Sequence, residues 1–108
     1  MITVTIHRSN DSYAGFKVVG HAGYAEEGYD IICAAVSVLV VNAVNSIETF
    51  TDDKFAARED HGIVELILEG SVSDKTTLLL DSMILGLRDI QTQYGNEFIR
   101  LKIEEIGR

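Results

Sequence analysis

Ile31 to Phe50 is the stretch that most limits what this chain can become. It runs for about twenty residues without glycine or proline, and without a formal charge until Glu48. β-Branched residues crowd its first half and favour a strand locally. Length overrules them, because strands rarely exceed about ten residues, so the stretch is expected to be helical. Asp30 is placed to cap it by accepting from the unpaired N–H groups of the first turn. Val36, Leu39, Val40, Ala43 and Ile47 form one apolar face, and Ser37, Asn42, Asn45, Ser46, Glu48 and Thr49 a polar one. Val38 and Val41 fall in the polar half. A helix apolar almost all round needs burial on more than one side. In a chain of 108 residues a second copy is the simplest way to supply it, so a homodimer with this helix near the interface is expected.

The flanking segments fit around that helix. Ile2, Val4 and Ile6 alternate with Thr3, Thr5 and His7, the pattern of a half-buried strand. Ser9-Asn10-Asp11-Ser12 is turn chemistry, and Tyr13 to Val19 returns as a second strand with Phe16 and Val18 on its apolar side. Lys54–Asp60 and Gly62–Glu69 read as another hairpin, turning at Asp60-His61-Gly62. Ser73 is a good cap for a second helix to Tyr94, whose apolar positions are Leu79, Leu80, Met83, Ile84, Leu87, Ile90 and Tyr94. Gly95 stands where a left-handed C-terminal cap is expected. Ile99, Leu101 and Ile103 alternate in a last strand. The order ββαββαβ predicts an α/β fold: a two-layer sandwich of two helices on a mostly antiparallel five-stranded sheet, one domain over residues 1–108.

Composition narrows the function classes. The net charge of −8 argues against unaided binding to a nucleic-acid backbone and permits a basic peptide or protein partner. The longest apolar run, Ile31 to Val41 with Ser37 inside it, falls short of the roughly 20 residues of a bilayer span, so no membrane partner is expected. The N-terminus begins as a strand, not as a basic-then-apolar leader. A single cysteine cannot form an internal disulfide. Together these read as a cytoplasmic protein in a reducing compartment. No phosphate-binding glycine loop occurs. No histidines or carboxylates stand at metal-ligand spacing near the cysteine, so neither a metal nor another cofactor is expected.

The cysteine itself is Cys33. With Asp30 as cap it is the third helical residue, where the helix dipole and unpaired N–H groups stabilise a thiolate and can also hold an oxyanion. His21 follows the second strand, and the loop Ala22 to Tyr29 is long enough to bring its imidazole back to the thiol. That pair has the parts of an activated nucleophile with its general base. Two plainer readings stand beside it: Cys33 as a small buried hydrophobe, and His21 as a hydrogen-bonded strand-end histidine.

Gly20-His21-Ala22, followed by Gly28-Tyr29-Asp30-Ile31-Ile32-Cys33-Ala34-Ala35-Val36-Ser37, resembles the signature of the ribosomal-processing cysteine protease family, Prp, whose small bacterial members are about this long. The resemblance implies a cysteine endopeptidase that removes the N-terminal extension of the large-subunit ribosomal protein L twenty-seven, cutting after an aromatic pair. It implies Cys33 as nucleophile and His21 as general base and acid. It also implies a homodimer, and a mobile loop, here Ala22 to Tyr29, that orders on substrate. Around the pair, Asp30 is a candidate to orient the imidazole or touch substrate, as well as to cap. Ser37, one turn beyond Cys33, is a candidate to contact the thiol or a substrate carbonyl; back-bonding to its own helix is the alternative. Gly20, Gly23 and Gly28 are read as giving the loop hinge freedom or left-handed backbone angles. Glu26 and Glu27 are read as solvated charges that can meet basic residues of the peptide. His7 and His61 carry no assigned role. The competing classes are a non-catalytic ribosome-assembly or peptide-binding module with an inert Cys33, and a thiol hydrolase or transferase for small molecules.

Overall fold

A computed structural model describes residues 1–20 and 29–106, without the side chains of Tyr29 and Asp30. Its elements are β1 (Ile2–Ser9), β2 (Ser12–Val19), α1 (Tyr29–Phe50), β3 (Lys54–Asp60), β4 (Ile63–Glu69), α2 (Asp74–Tyr94) and β5 (Ile99–Glu105). The strands form one sheet in the order β3-β4-β2-β1-β5. Every pairing is antiparallel except β1 with β5. The expected ββαββαβ sandwich is therefore what forms, as a mixed sheet. The parallel pair arises because β5 reaches β1 through a helix rather than a hairpin.

Both hairpins turn on two residues. Asn10 and Asp11 have φ of 52° and 63°; His61 and Gly62 have 40° and 80°. Left-handed angles at both central positions match the twist of the flanking strands, and Asn, Asp and Gly tolerate them best. The β1–β2 register sets Val4 opposite Val18 and Ile6 opposite Phe16. These residues, with Leu66 and Leu68 of β4, form the buried sheet face. At Gly15 a Cβ would sit 2.1 Å from the carbonyl oxygen of Leu66, so β2 can approach β4 this closely only with glycine there.

Both helices contribute to one core against this face. α1 buries Ile32, Val36, Val40, Ala43 and Ile47, with Leu39 only partly covered. α2 buries Thr76, Leu80, Met83, Ile84 and Leu87, while Tyr94, expected inside, is exposed at the helix end. The helices touch where Gly86 leaves room for the Leu39 side chain, whose Cδ1 would lie 2.9 Å from an added Cβ. Ile31–Phe50 amounts to 20 residues of mean hydropathy 1.9, long and apolar enough to cross a membrane by length and composition. That corrects the expectation that the apolar run falls short: Ser37 and the asparagines interrupt the run without lowering the average enough. In this fold the helix spends its apolar stripe on the sheet.

Two polar clusters brace the layers. Ser73 caps α2 by accepting from the Thr76 N–H at 3.3 Å. The Asp53 carboxylate in turn accepts from the Ser73 N–H at 2.9 Å and its hydroxyl at 2.7 Å. Thr76, fully buried in that first turn, and Ser73 stabilise the ionised Asp53 and hold its pKa below the usual carboxylate range. At the other end of α2 the Gly95 N–H donates to the Gln91 carbonyl at 2.9 Å. Its φ is 95° but its ψ is 167°, so the cap is extended rather than left-handed α. Elsewhere the Tyr13 hydroxyl donates to Asp81, tying β2 to α2, while the Arg8 guanidinium lies 4.7 Å from the Tyr13 ring centroid. Burial, then the Asp81 hydrogen bond and charge, push the Tyr13 pKa up to about 12.

Candidate active site

α1 begins at Tyr29, so Asp30 is already helical rather than the residue that caps the helix. Cys33 is thereby the fifth helical residue instead of the third. It still stands beside the first-turn N–H groups, which have no intrahelical acceptor and carry the positive end of the dipole. Cys33 is half-buried and packs against the core. Its position on the helix decides this: Ile32 next to it points fully inward, while Ala34 on its other side is exposed.

A groove of about 340 Å³ opens at Cys33, within the size range of small-ligand sites. Cys33, Ser37 and Val41, spaced four apart, form its α1 wall together with Val40. The opposite wall is the end of the sheet: Gly20 after β2, then Gly62, Ile63 and Val64 at the start of β4, with Glu59 of β3 beside them. The two sheet segments are joined where the Gly20 N–H donates to the Gly62 carbonyl at 3.2 Å. Gly20 has φ of 113°, and a Cβ there would lie 2.4 Å from the Met1 carbonyl oxygen. Only glycine fits where the chain leaves the sheet next to this groove. A second depression, lined by Val41, Val44, Asn45, Ala57, Arg58, Glu59 and Val64, continues the groove between α1 and β3.

Of the residues singled out in the sequence, the fold brings together Cys33, Ser37 and Gly20 around this groove. His21, Gly23, Glu26, Glu27 and Gly28 lie outside the described residues, as does the side chain of Asp30. The other two histidines are described. His7 sits on the sheet face away from the helices, in the half-exposed Thr3, Thr5, His7 row. His61 occupies the β3–β4 turn with its ring almost wholly in solvent, 3.3 Å from Asp60. Among the described residues no group of three His, Cys, Asp or Glu could hold a metal.

Glu59, Ile63 and Val64 were not expected at a site. The signal for Glu59 was available in the strand period. Phe55, Ala57 and Glu59 share the face of β3 that is turned toward the helices, as their pairing with Leu68, Leu66 and Val64 shows. A carboxylate there interrupts an apolar row.

A sequence profile of the cysteine protease Prp family matches residues 1–99. The chain belongs to that family. It is 34% identical to the ribosomal processing cysteine protease Prp of Bacillus subtilis, over 87% of this chain and 90% of the relative. With the Prp of Staphylococcus aureus the identity is 32%, over 94% and 97%. The fold agrees as closely. A crystal structure of the S. aureus Prp with a substrate peptide superposes with a TM-score of 0.88 at 30% identity, covering 96% of this chain and 100% of that one. Another, with a covalently linked product peptide, gives 0.85 at 31% identity, covering 96% and 100%. The chain is thus a cysteine protease, and a Prp protease of this sequence has one cysteine to work with.

Proposed function

We propose that this protease removes the N-terminal extension of a ribosomal protein, L twenty-seven by the resemblance of its signature, with Cys33 as nucleophile and His21 as general base and acid. One observation carries the reading: the chain's sole cysteine lies at the start of α1 on the wall of a groove bordered by the sheet end. The relatives named for ribosomal processing, and the S. aureus enzyme's complexes with peptides, support a peptide substrate.

In this mechanism His21 takes the Cys33 proton and the sulfur attacks the scissile carbonyl. The carbonyl π pair moves to oxygen, where the first-turn N–H groups of α1 would stabilise it. Collapse breaks the C–N bond, and the imidazolium gives its proton to the departing amine. Water, deprotonated by the same imidazole, then cleaves the thioester to release the new carboxylate and regenerate the thiol. Of the histidines, His7 is on the wrong face of the sheet and His61 projects into solvent, which favours His21. Ser37 would hold a peptide carbonyl or the thiol from one turn away. Asp30 would orient the base, and the glycine-flanked segment with Glu26 and Glu27 would close over the peptide.

A homodimer belongs to the same reading. Ile31 and Val38 are 65% and 67% exposed, and nothing from Ile31 to Ile47 carries a formal charge at neutral pH. Two chains of charge −8 repel; a charge-free helix face is where they can still meet. A ribosomal-protein substrate sets the work in the cytoplasm and calls for no nucleic acid or cofactor. The deciding experiment mixes the purified protein with its own organism's extended ribosomal protein and reads the products by mass spectrometry. A single cut in the extension, absent with Cys33→Ala, is expected. Cleavage retained by Cys33→Ala would end the proposal. Light scattering on the same sample should give twice the chain mass at micromolar concentration, and a monomer would refute the dimer.

A further inference from the structure

The groove at Cys33 is mostly apolar, with Ser37 on its α1 wall, and one ionisable side chain besides the cysteine lines it among the described residues: Glu59. The same carboxylate lines the depression that continues the groove between α1 and β3, so it stands at the junction of the two. Its register makes the placement unusual. Glu59 pairs with Val64, itself a groove residue, on the sheet face turned toward the helices, where Phe55 and Ala57 precede it. The neighbouring cation also borders that depression, but Arg58 is opposite Glu65 in the register and its guanidinium pairs with that carboxylate at 3.4 Å, not with Glu59. Among the described residues Glu59 makes no ion pair.

Glu59 is exposed on this edge strand, so before a peptide binds it acts as a surface charge does. A peptide lying in the groove covers it and brings its own cation or anion alongside, the first attracted and the second repelled. An apolar side chain suits the walls of Val40, Val41 and Ile63; a lysine or arginine further along the same extended chain suits Glu59. We infer that Glu59 is a specificity-determining residue that reads one basic side chain of the peptide substrate, at a fixed distance from the scissile bond. The inference rests on the protease reading above and adds a charge preference to it.

The test is a walk of a single lysine along an otherwise neutral, cleavable peptide, with norleucine and glutamate at the same positions. The wild type should favour lysine over norleucine at one position by roughly three- to tenfold in kcat/KM, as expected for a partly exposed ion pair. The gain should reside in KM. It should shrink at 1 M salt, where the screening length falls to about 3 Å. In Glu59→Gln the lysine-to-norleucine ratio should fall to about one, and in Glu59→Lys the preferred residue should become glutamate. Binding of the labelled peptides to Cys33→Ala, with and without Glu59→Gln, reads the same preference without chemistry. Inward charges on edge strands also serve to block edge-to-edge association. If that is Glu59's whole role, Glu59→Gln aggregates sooner but keeps the wild-type lysine ratio, and that result overturns the inference. A wild type with no preferred lysine position overturns it too. Absence of any cleavage would instead sink the protease reading, and the binding arm would still decide the role of Glu59.

Discussion

The two helices are nearly equal in length, 22 and 21 residues, and cover the same sheet face, yet they are built on opposite plans. α2 is amphipathic in the ordinary way. It carries Asp74, Lys75, Asp81, Arg88 and Asp89, and Ser73 and Asp53 lock its start. α1 has no charged side chain between Asp30 and Glu48; its start adjoins residues 21–28, and its outward side contributes Ser37 and Val41 to the groove. Both helices bury a stripe in the shared core, and both leave large apolar residues exposed, Ile31 and Val38 on α1 and Leu78 and Leu85 on α2. What differs is the charge around them. α2 sets its exposed leucines among charged residues, whereas the outward side of α1 is charge-free and, as proposed, meets a peptide along one flank and a second copy on the other.

That contrast can be broken by matched substitutions. The largest effect expected is on activity and comes from α1: Cys33→Ala should lower kcat/KM for an extension peptide by at least about a thousandfold. Because Cys33 is only half-buried, the melting temperature should move by no more than a few degrees. Loss of fold along with activity would make the cysteine a core residue and α1 a second brace. Leu80→Ala, at the 1%-exposed centre of α2, should do the reverse. A cavity there costs about 2–5 kcal/mol in denaturant melts, with the remaining folded fraction still cleaving peptide.

Next in size is Asp53→Asn, expected to destabilise by about 2 kcal/mol at pH 7, since hydrogen bonds to a charged acceptor are among the stronger ones. The pH signature is specific. The folded-state pKa of Asp53 lies below its ordinary value of 3.8, so its contribution is fully present above about pH 4 and disappears as pH falls through the folded value. Chemical denaturation of wild type and variant should therefore converge below pH 4. A difference that persists unchanged at pH 2 would mean that the carboxylate charge is not what holds the α2 cap.

Most of the architecture was legible because it rests on short-range periodicity. The alternations of Ile2–Ile6 and Val64–Leu68, the turn residues Asn10-Asp11 and His61-Gly62, and the Ser73 cap each declare themselves within a few positions. The parallel pairing of β5 with β1 does not, because it depends on which edge remains open once both hairpins have formed. The site divides the same way. Cys33 and Ser37 share a helix flank and could be paired on spacing alone. Glu59, Ile63 and Val64 arrive from a distant hairpin, and only the sheet order brings them to α1. The start of α1 was missed by two residues because Asp30 is as suited to a first helical turn, where the dipole favours it, as to a cap.

The smallest effect expected belongs to the far end of the sheet, where Tyr13 and Asp81 hold β2 to α2. Tyr13→Phe removes one hydrogen bond and should cost about 1 kcal/mol at neutral pH, with peptide cleavage unaltered because the groove lies at the other end of β2. The sign of its pH dependence is opposite to that of Asp53. The Tyr13 pKa rises from 10.0 to about 12 on folding, so the neutral phenol's contribution is complete below pH 10 and is lost between pH 10 and about 12. Wild-type stability should therefore decline through that window more steeply than that of Tyr13→Phe, the two curves approaching each other near its top. Parallel curves would show that Asp81 and burial do not hold the phenol proton. The brace at that end would then be the packing of the ring under Arg8 alone.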